Sequence, residues 1–507
     1  MTLCSTIAVV PAWAPTAKLV VELGPLLHIL LALLVTIHCL RHRRDPTSAV
    51  FWILLAWTFP GVGVLLFASF GINKVPVKGW HKQKADQAFL SERRTREDAA
   101  MPLAYWRAVH DSLAAEPETP FARELNSAMN ATLPDYPLLR GNHIEPLVTG
   151  DEAYPRMLES IRSAKHHVHL QTFIIGNDAV GREFMEALRE RANAGVTVRF
   201  LFDKFGSTGA WMTGLFAKYR NIPNLHMAGW TQANPIKRQF QINLRNHRKL
   251  LVVDGRVAYA GGINLRDENV TRAGQPPIRD YHFAIQGPIV QELQYLFLRD
   301  WYFMTDEKAE VLLRAEHFPH LEPAGTALAR VVNGGPTAET EVLTDVFFSA
   351  IVAARKQLLA VTPYLVPTED ILRALRSAAL RGVEVRLVVP RKNNHVYAGL
   401  AARALYEDLL TAGVRIFERE PPFMHAKALI VDDTLAIVGT ANLDVRSLRL
   451  NYETNLAVYG NDFINALKRV VLEEITLSGE ADLSTWRNRP VTQKVLENFS
   501  SLLTPVL

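Results

Sequence analysis

One short pattern occurs twice in this chain, and a repeat that carries polar chemistry constrains the fold more than composition does. Asn246-His247-Arg248-Lys249-Leu250-Leu251-Val252-Val253-Asp254 and Met424-His425-Ala426-Lys427-Ala428-Leu429-Ile430-Val431-Asp432 both read His-x-Lys, four apolar residues, then Asp. Each is followed by a small-residue turn ending in Asn, Gly261-Gly262-Ile263-Asn264 and Gly439-Thr440-Ala441-Asn442, and His to Asn spans 17 residues in both copies. Further on, Arg279-Asp280-Tyr281 follows the first copy and Asn451-Tyr452-Glu453 the second. Upstream of each copy, Gly-Val-x-Val-Arg recurs at 195–199 and 382–386. Two αβ halves with the same internal order imply duplication about a pseudo-twofold axis.

Within each half, strand and helix alternate. His167–Ile175 and Gly195–Phe202 have the β-branched, charge-poor pattern of buried strands, with a helix over Gly181–Ala194 between them. Leu358–Tyr364 and Gly382–Val389 repeat this around a helix at Asp370–Leu380. Each His-x-Lys segment reads as a strand, whose period of two puts His247 and Lys249 on one face, and His425 and Lys427 likewise.

The residue set suits phosphoryl transfer. A phosphodiester is anionic and repels anionic nucleophiles, whereas a neutral imidazole attacks it and leaves as readily. One histidine would form a phosphohistidine. The other, protonated, would hand a proton to the departing alcohol and later accept one from the incoming alcohol. Two such imidazoles titrate as a pair and give a bell-shaped rate profile. Lys249 and Lys427 would hold the non-bridging oxygens, and Asn264 and Asn442 would add neutral donors. Asp280 and Glu453 are candidates for orienting the imidazoles, with ordinary ion pairing as the alternative. Asp254 and Asp432 complete the motif and its candidate catalytic set. Four strand residues separate each from its lysine, however, which suits capping or pairing at a turn. The set calls for no metal and no cofactor.

The N-terminal end is apolar. Leu23–Leu40 is 18 residues without a charge and Thr47–Ile72 is 26; about 20 helical residues cross a bilayer core. Arg41-His42-Arg43-Arg44-Asp45-Pro46 separates them, so a two-span hairpin is expected, with Pro60, Gly61 and Gly63 tolerated where the helices pack. Such a hairpin puts everything after Lys74 on the side of the N-terminus. Arginines in the loop then oppose Lys74, Lys78, Lys82 and Lys84 beyond it, and the positive-inside rule gives a near tie. Residues 74–136 read as a charged juxtamembrane linker with some helix, solvated or resting on anionic headgroups. Gly209–Arg220 mixes large apolar and basic residues, and Val491, Val495, Phe499, Leu502, Leu503 and Val506 have helical spacing; each segment suits either the membrane or the core. The two cysteines, Cys4 and Cys39, exclude a disulfide framework or a cysteine-based zinc site. A net charge of +5 on 507 residues gives no strong basic stripe for nucleic acid.

The paired motifs resemble the phospholipase D superfamily. Ile242–Lys249, Gly261–Leu265, Thr362–Pro367 and Ala441–Ser447 resemble bacterial cardiolipin synthases more narrowly, as does Arg43-Arg44-Asp45-Pro46 between two apolar runs. The resemblance implies two pseudo-symmetric αβα sandwich halves after a transmembrane helical hairpin. The layout expected is an extension at 1–17, the hairpin at 18–73, the linker at 74–136, halves at 137–310 and 335–507, and an inter-half linker at 311–334. It implies that two phosphatidylglycerols give cardiolipin and glycerol, with His247, Lys249, Asn264, His425, Lys427 and Asn442 in the site, Asp280 and Glu453 as its acids, and His247 as nucleophile. A hydrolase giving phosphatidic acid is the alternative. A multi-pass protein of the bacterial inner membrane is expected, its catalytic part on the cytoplasmic face, with no nucleic-acid partner. Two features depart from the family pattern: Met1–Ala17, and Asn393-Asn394 where an acidic residue is expected.

Overall fold

Duplication at the level of sequence becomes duplication of strand order. A computed structural model describes residues 14–41, 46–71, 82–92, 115–133, 136–230, 245–272, 274–336 and 341–502, in two units, Met1–Pro76 and Val77–Leu507. In the larger unit the first half contributes β1 (Leu139–Val148), β2 (His167–Thr172), β3 (Thr197–Asp203), β4 (Leu225–Trp230), β5 (Leu250–Val253), β6 (Val257–Gly261) and β7 (Tyr281–Gln286). The second half contributes β8 (Ala327–Gly334), β9 (Gln357–Val361), β10 (Glu384–Pro390), β11 (Arg415–Arg419), β12 (Ala428–Val431), β13 (Leu435–Gly439) and β14 (Glu453–Tyr459), with β15 (Ser478–Glu480) as an added edge. From the centre outward the orders are β1-β7-β6-β5-β2-β3-β4 and β8-β14-β13-β12-β9-β10-β11-β15, and β1 pairs with β8 to make one 15-stranded sheet.

The register repeats too. Leu250, three residues past its histidine, faces Gln171 in the antiparallel β2–β5 pair, and Ala428, three past its own, faces Val361 in β9–β12. Both halves bury the apolar side chains of these strands under helices, Ala179–Asn193 in the first and Glu369–Leu380 in the second. The recurrent Gly-Val-x-Val-Arg has a backbone cause. Gly195 (φ 90°) and Gly382 (φ 88°) end these helices in the left-handed conformation that a side chain disfavours, and the chain turns directly into the next strand.

Three expectations need correction. Residues 74–136 are not a free linker where they are described. The helix Pro120–Thr132 buries Leu125 and Met129 in the core of the second half, and Lys82 of the 82–92 helix is buried against Asp300 at 3.2 Å. Residues 327–334, expected within an inter-half linker, are the central strand β8. The His-x-Lys residues do not lie in strands: β5 and β12 begin only at Leu250 and Ala428, and the reactive residues sit on the extended entry to each.

The smaller unit contains α1 (Ala14–Arg41), α2 (Pro46–Thr58) and α3 (Val62–Leu66), then a π-turn at Phe67–Gly71. Among the described residues, Leu23–Arg41 is the one helix long and apolar enough to cross a membrane. The second apolar run is broken at Phe59-Pro60-Gly61 instead of forming one 26-residue helix. Residues 1–13 of the N-terminal extension, Ile242–Leu244, Leu503 and Val506 lie outside the described residues.

Candidate active site

The two His-x-Lys segments are stitched to the opposite half through backbone. His247 N donates to Tyr452 O at 2.9 Å, and Tyr452 N donates back to Arg245 O at 2.9 Å. Symmetrically, His425 N donates to Arg279 O at 2.7 Å and Arg279 N to Phe423 O at 2.9 Å. Tyr452 and Arg279 immediately precede the two acids, so each acid is delivered to the other half's histidine. His247 Nδ1 lies 2.9 Å from Glu453 Oε2, and His425 Nδ1 lies 2.6 Å from Asp280 Oδ2. A carboxylate only accepts, so Nδ1 carries the proton in both rings and each Nε2 keeps its lone pair. His247, Glu453 and Asp280 are buried, and His425 is half-buried.

The surroundings of the two acids differ. Glu453 accepts from Thr440 Oγ1 at 2.5 Å and Asn451 Nδ2 at 3.3 Å. Asp280 accepts from the backbone N–H of Tyr281 at 2.8 Å and has Lys427 Nζ at 3.8 Å. Gly262, the counterpart of Thr440, makes room for it: a Cβ there would lie 2.1 Å from Asp280 Oδ1.

Each lysine folds back on the carbonyl of its own histidine, Lys249 Nζ at 2.7 Å from His247 O, and Lys427 Nζ likewise bonded to His425 O. Lys427 Nζ is also 2.7 Å from His425 Nδ1. An ammonium and an N–H cannot both donate along that line, so the lysine's bond goes to the carbonyl. Lysine and histidine share a face in the first half as well, where His247 meets the Phe173 ring at 4.9 Å and Lys249 lies over the same ring at 5.2 Å. Asn264 Oδ1 accepts from Ile174 N at 3.1 Å, while Asn442 Nδ2 donates to Asp444 Oδ2 at 2.9 Å.

Burial sets the charges. It lowers the His247 and Lys249 pKa values, the lysine to about 7. It also lowers His425, to about 3, with Lys427 as the next cause, and Lys427 itself to about 8. Burial disfavours both carboxylate anions, but their partners outweigh it: Lys427 and His425 hold Asp280 below its usual value, and His247, Lys249 and the Thr440 hydroxyl do the same for Glu453. The resting site therefore pairs two neutral imidazoles with two carboxylates and two easily deprotonated lysines.

Asp254 and Asp432, grouped with the catalytic set by the motif, sit elsewhere. Asp254 accepts the backbone N–H groups of Lys165, His166 and His167 at 2.8, 2.8 and 2.9 Å. Asp432 accepts those of Arg355, Lys356 and Gln357 at 2.7 Å each. Both are in the left-handed region, φ 51° and 50°, and cap the start of β2 and β9.

Supporting residues escaped the sequence reading. Asp300, on the buried helix Ile289–Met304, accepts from Gln171 Nε2 at 2.9 Å, from Asn246 Nδ2 at 3.2 Å and from Arg248. Asp203 accepts from Asn246 N at 3.1 Å. These bonds hold the first motif from behind. The only sequence signal is polar character at Asn246 and Arg248 beside a strand, which does not name the distant partner.

Residues 157–301 and 347–474 match the family described as cardiolipin synthase, PLD-like domain, and residues 30–71 match a phospholipase D-nuclease N-terminal family. A cardiolipin synthase of Geobacillus kaustophilus is 33% identical over 472 residues, covering 92% of this chain and 90% of that protein. One from Geobacillus sp. (strain WCH70) is 34% identical over 475 residues at the same coverage. Among solved structures, phosphatidylserine synthase from Haemophilus influenzae Rd KW20 shares the fold, with TM-score 0.58 and 16% identity over 76% of this chain and all of that one.

Proposed function

The chain belongs to the cardiolipin synthases of the phospholipase D superfamily, a phosphatidyltransferase, and on that premise we propose how its two halves divide the transfer. The donor and acceptor are both phosphatidylglycerol. His247 Nε2 attacks the phosphorus of the first lipid. The bond from phosphorus to the headgroup glycerol breaks, and glycerol leaves with a proton from His425. The terminal hydroxyl of the second lipid then attacks the phosphohistidine, His425 takes its proton, and the phosphorus–nitrogen bond breaks to release cardiolipin and restore His247. Lys249, Lys427, Asn264 and Asn442 hold the non-bridging oxygens, where charge builds in the transition state.

The crossed His247–Glu453 and His425–Asp280 pairs carry this reading. Attack by His247 makes a cationic phosphorylated ring, and Glu453 faces that charge. His425 starts neutral and must acquire a proton when the lipid arrives. Lys427 is the nearest cation opposing this. When Lys427 turns to a phosphate oxygen, Nδ1 retains Asp280 and the incoming anion, and both favour imidazolium.

The N-terminal apolar unit associates the enzyme with the membrane, with the catalytic unit on the cytoplasmic face. At the other end, Val491, Val495, Phe499 and Leu502 are exposed on the helix Val491–Ser501, as are Trp211 and Met212 beside the first half's β3; both patches rest on the lipid surface.

The test is mass spectrometry of lipids after phosphatidylglycerol vesicles are incubated with the enzyme, with His247→Ala and with His425→Ala. Cardiolipin and glycerol from the unaltered enzyme alone are expected. Phosphatidic acid in place of cardiolipin would make the protein a hydrolase, and cardiolipin from either variant at an undiminished rate would refute the two-histidine mechanism.

A further inference from the structure

The second apolar run folds back on itself, and α1 serves as the ruler. At the end of α2, Trp57 O accepts a hydrogen bond from His28 Nε2 at 3.2 Å. Ten residues later, the Phe67 ring packs on His38 at 5.5 Å and on Trp52 at 5.7 Å. His28 and His38 are ten residues apart on α1, about 15 Å along its axis. A helix continuing past Trp57 would move away from His38 by that distance; this chain returns to it. The reversal lies at Gly61 (φ 71°), a conformation that favours glycine. Gly63 then packs so closely on α2 that a Cβ would lie 2.1 Å from Leu55 O.

This reversal suits an apolar surrounding. Val50, Phe51, Leu54, Phe59, Val62 and Leu65 are all exposed around it. The backbone of the turn is satisfied internally, by Val62 N to Pro60 O at 2.8 Å, Gly63 N to Phe59 O at 2.9 Å and Leu65 N to Gly61 O at 2.9 Å, while Pro60 has no N–H to satisfy. With 13 residues, α2 is about 20 Å long, short of a hydrocarbon core of about 30 Å.

We propose that residues 46–71 form a re-entrant hairpin that enters one leaflet and returns to the face it came from, so the chain crosses the bilayer once, through α1. The charge pattern then resolves. With two spans, Lys18 and four lysines (Lys74, Lys78, Lys82, Lys84) lie opposite three arginines (Arg41, Arg43, Arg44), five against three. With one crossing, the three arginines and four lysines share a face, seven against Lys18 alone. That bias places the catalytic unit in the cytoplasm and the N-terminus outside. The inference rests on the membrane association proposed above, and not on the reaction.

Labelling full-length protein in sealed membrane vesicles of known orientation with an impermeant maleimide tests it. Cys39→Ala leaves native Cys4 as the probe of the N-terminus. Asp45→Cys and Lys74→Cys, each in a Cys4→Ser, Cys39→Ala background, probe the two ends of the hairpin. Labelling is normalised to that in detergent. Asp45→Cys and Lys74→Cys should label from the cytoplasmic side, and Cys4 from the other, each with at least tenfold preference. Cys4 and Lys74→Cys labelling together, opposite Asp45→Cys, would establish two spans and overturn the proposal. Labelling of all three from one side would overturn it by removing the crossing. A fluorescent protein fused at the C-terminus, which fluoresces in the cytoplasm and not outside, gives an independent reading: a dark fusion on a membrane-inserted chain overturns the cytoplasmic assignment. None of these outcomes depends on cardiolipin being made.

Discussion

Replacing Glu453 with Gln removes a charge while keeping the side-chain shape, and its cost follows from the geometry. Glu453 Oε2 is 2.9 Å from His247 Nδ1 in a buried pair. When Nε2 bonds to phosphorus, positive charge spreads over the ring at a mean distance of about 4 Å from the carboxylate. At an effective dielectric constant of about 20, that attraction is about 4 kcal/mol. The neutral resting ring does not feel it, so the loss falls on the transition state. With about 1.4 kcal/mol per decade, kcat should drop about a thousandfold. The assay is cardiolipin formation from phosphatidylglycerol vesicles, alongside acid-quenched trapping of labelled phosphoenzyme. Glu453→Gln should slow formation of the phosphoenzyme. Asp280→Asn, acting through His425, should slow both glycerol departure and acceptor deprotonation. A loss below about tenfold for Glu453→Gln would refute the electrostatic reasoning. Normal phosphoenzyme formation in Glu453→Gln together with its abolition in Asp280→Asn would reverse the roles of the two histidines.

The lysines set an alkaline limit: with pKa values lowered to about 7 and 8, both are cations below those values and lose charge as pH rises through them. kcat/KM should therefore fall above about pH 7–8, well before ordinary lysines titrate, and a plateau to pH 10 would contradict this. Gly262→Ser puts a Cβ 2.1 Å from Asp280 Oδ1 and should displace the carboxylate from His425. Activity at least a hundredfold lower, in protein with an unchanged melting temperature, is expected; near-normal activity would show that Asp280 is not held there for His425. Asp254→Asn and Asp432→Asn each weaken three backbone hydrogen bonds to a carboxylate, at a cost of about 2 kcal/mol or more. Melting temperature should fall by several degrees while the rate per folded molecule is retained, and a large kcat loss at unchanged stability would return these residues to the catalytic set.

The repeat was legible because both copies keep the same order of chemistry-bearing residues, and helix and strand positions followed from hydrophobic period and from glycines such as Gly195 and Gly382. The partnership of each acid was not legible. Asp280 and Glu453 follow their own motifs in the chain. They reach the other half's histidine because β1 pairs with β8, a contact between segments nearly 200 residues apart. The strand assignment of His-x-Lys failed for a related reason: the extended backbone at each histidine bonds across the halves, His247 to Tyr452 and His425 to Arg279. Pro60-Gly61 inside an apolar run is equally consistent with a kinked span and a reversal. The close approach of Gly63 to Leu55 distinguishes them, and it is a tertiary fact.

A duplicated site begins with equivalent histidines, yet transfer needs one to stay neutral and attack while the other gains and loses a proton. The symmetry is broken one layer behind the rings. Thr440 and Asn451 donate to Glu453 and hold it in place, so its charge faces the His247 ring when that ring becomes cationic. Gly262 leaves Asp280 no hydroxyl partner at the matching position, and the Asp280 charge is shared between His425 at 2.6 Å and Lys427 at 3.8 Å. A phosphate that draws Lys427 away leaves Asp280 to His425 alone. Substrate binding itself then turns one of two similar imidazoles into the acid, and the pair need not differ before the lipid arrives.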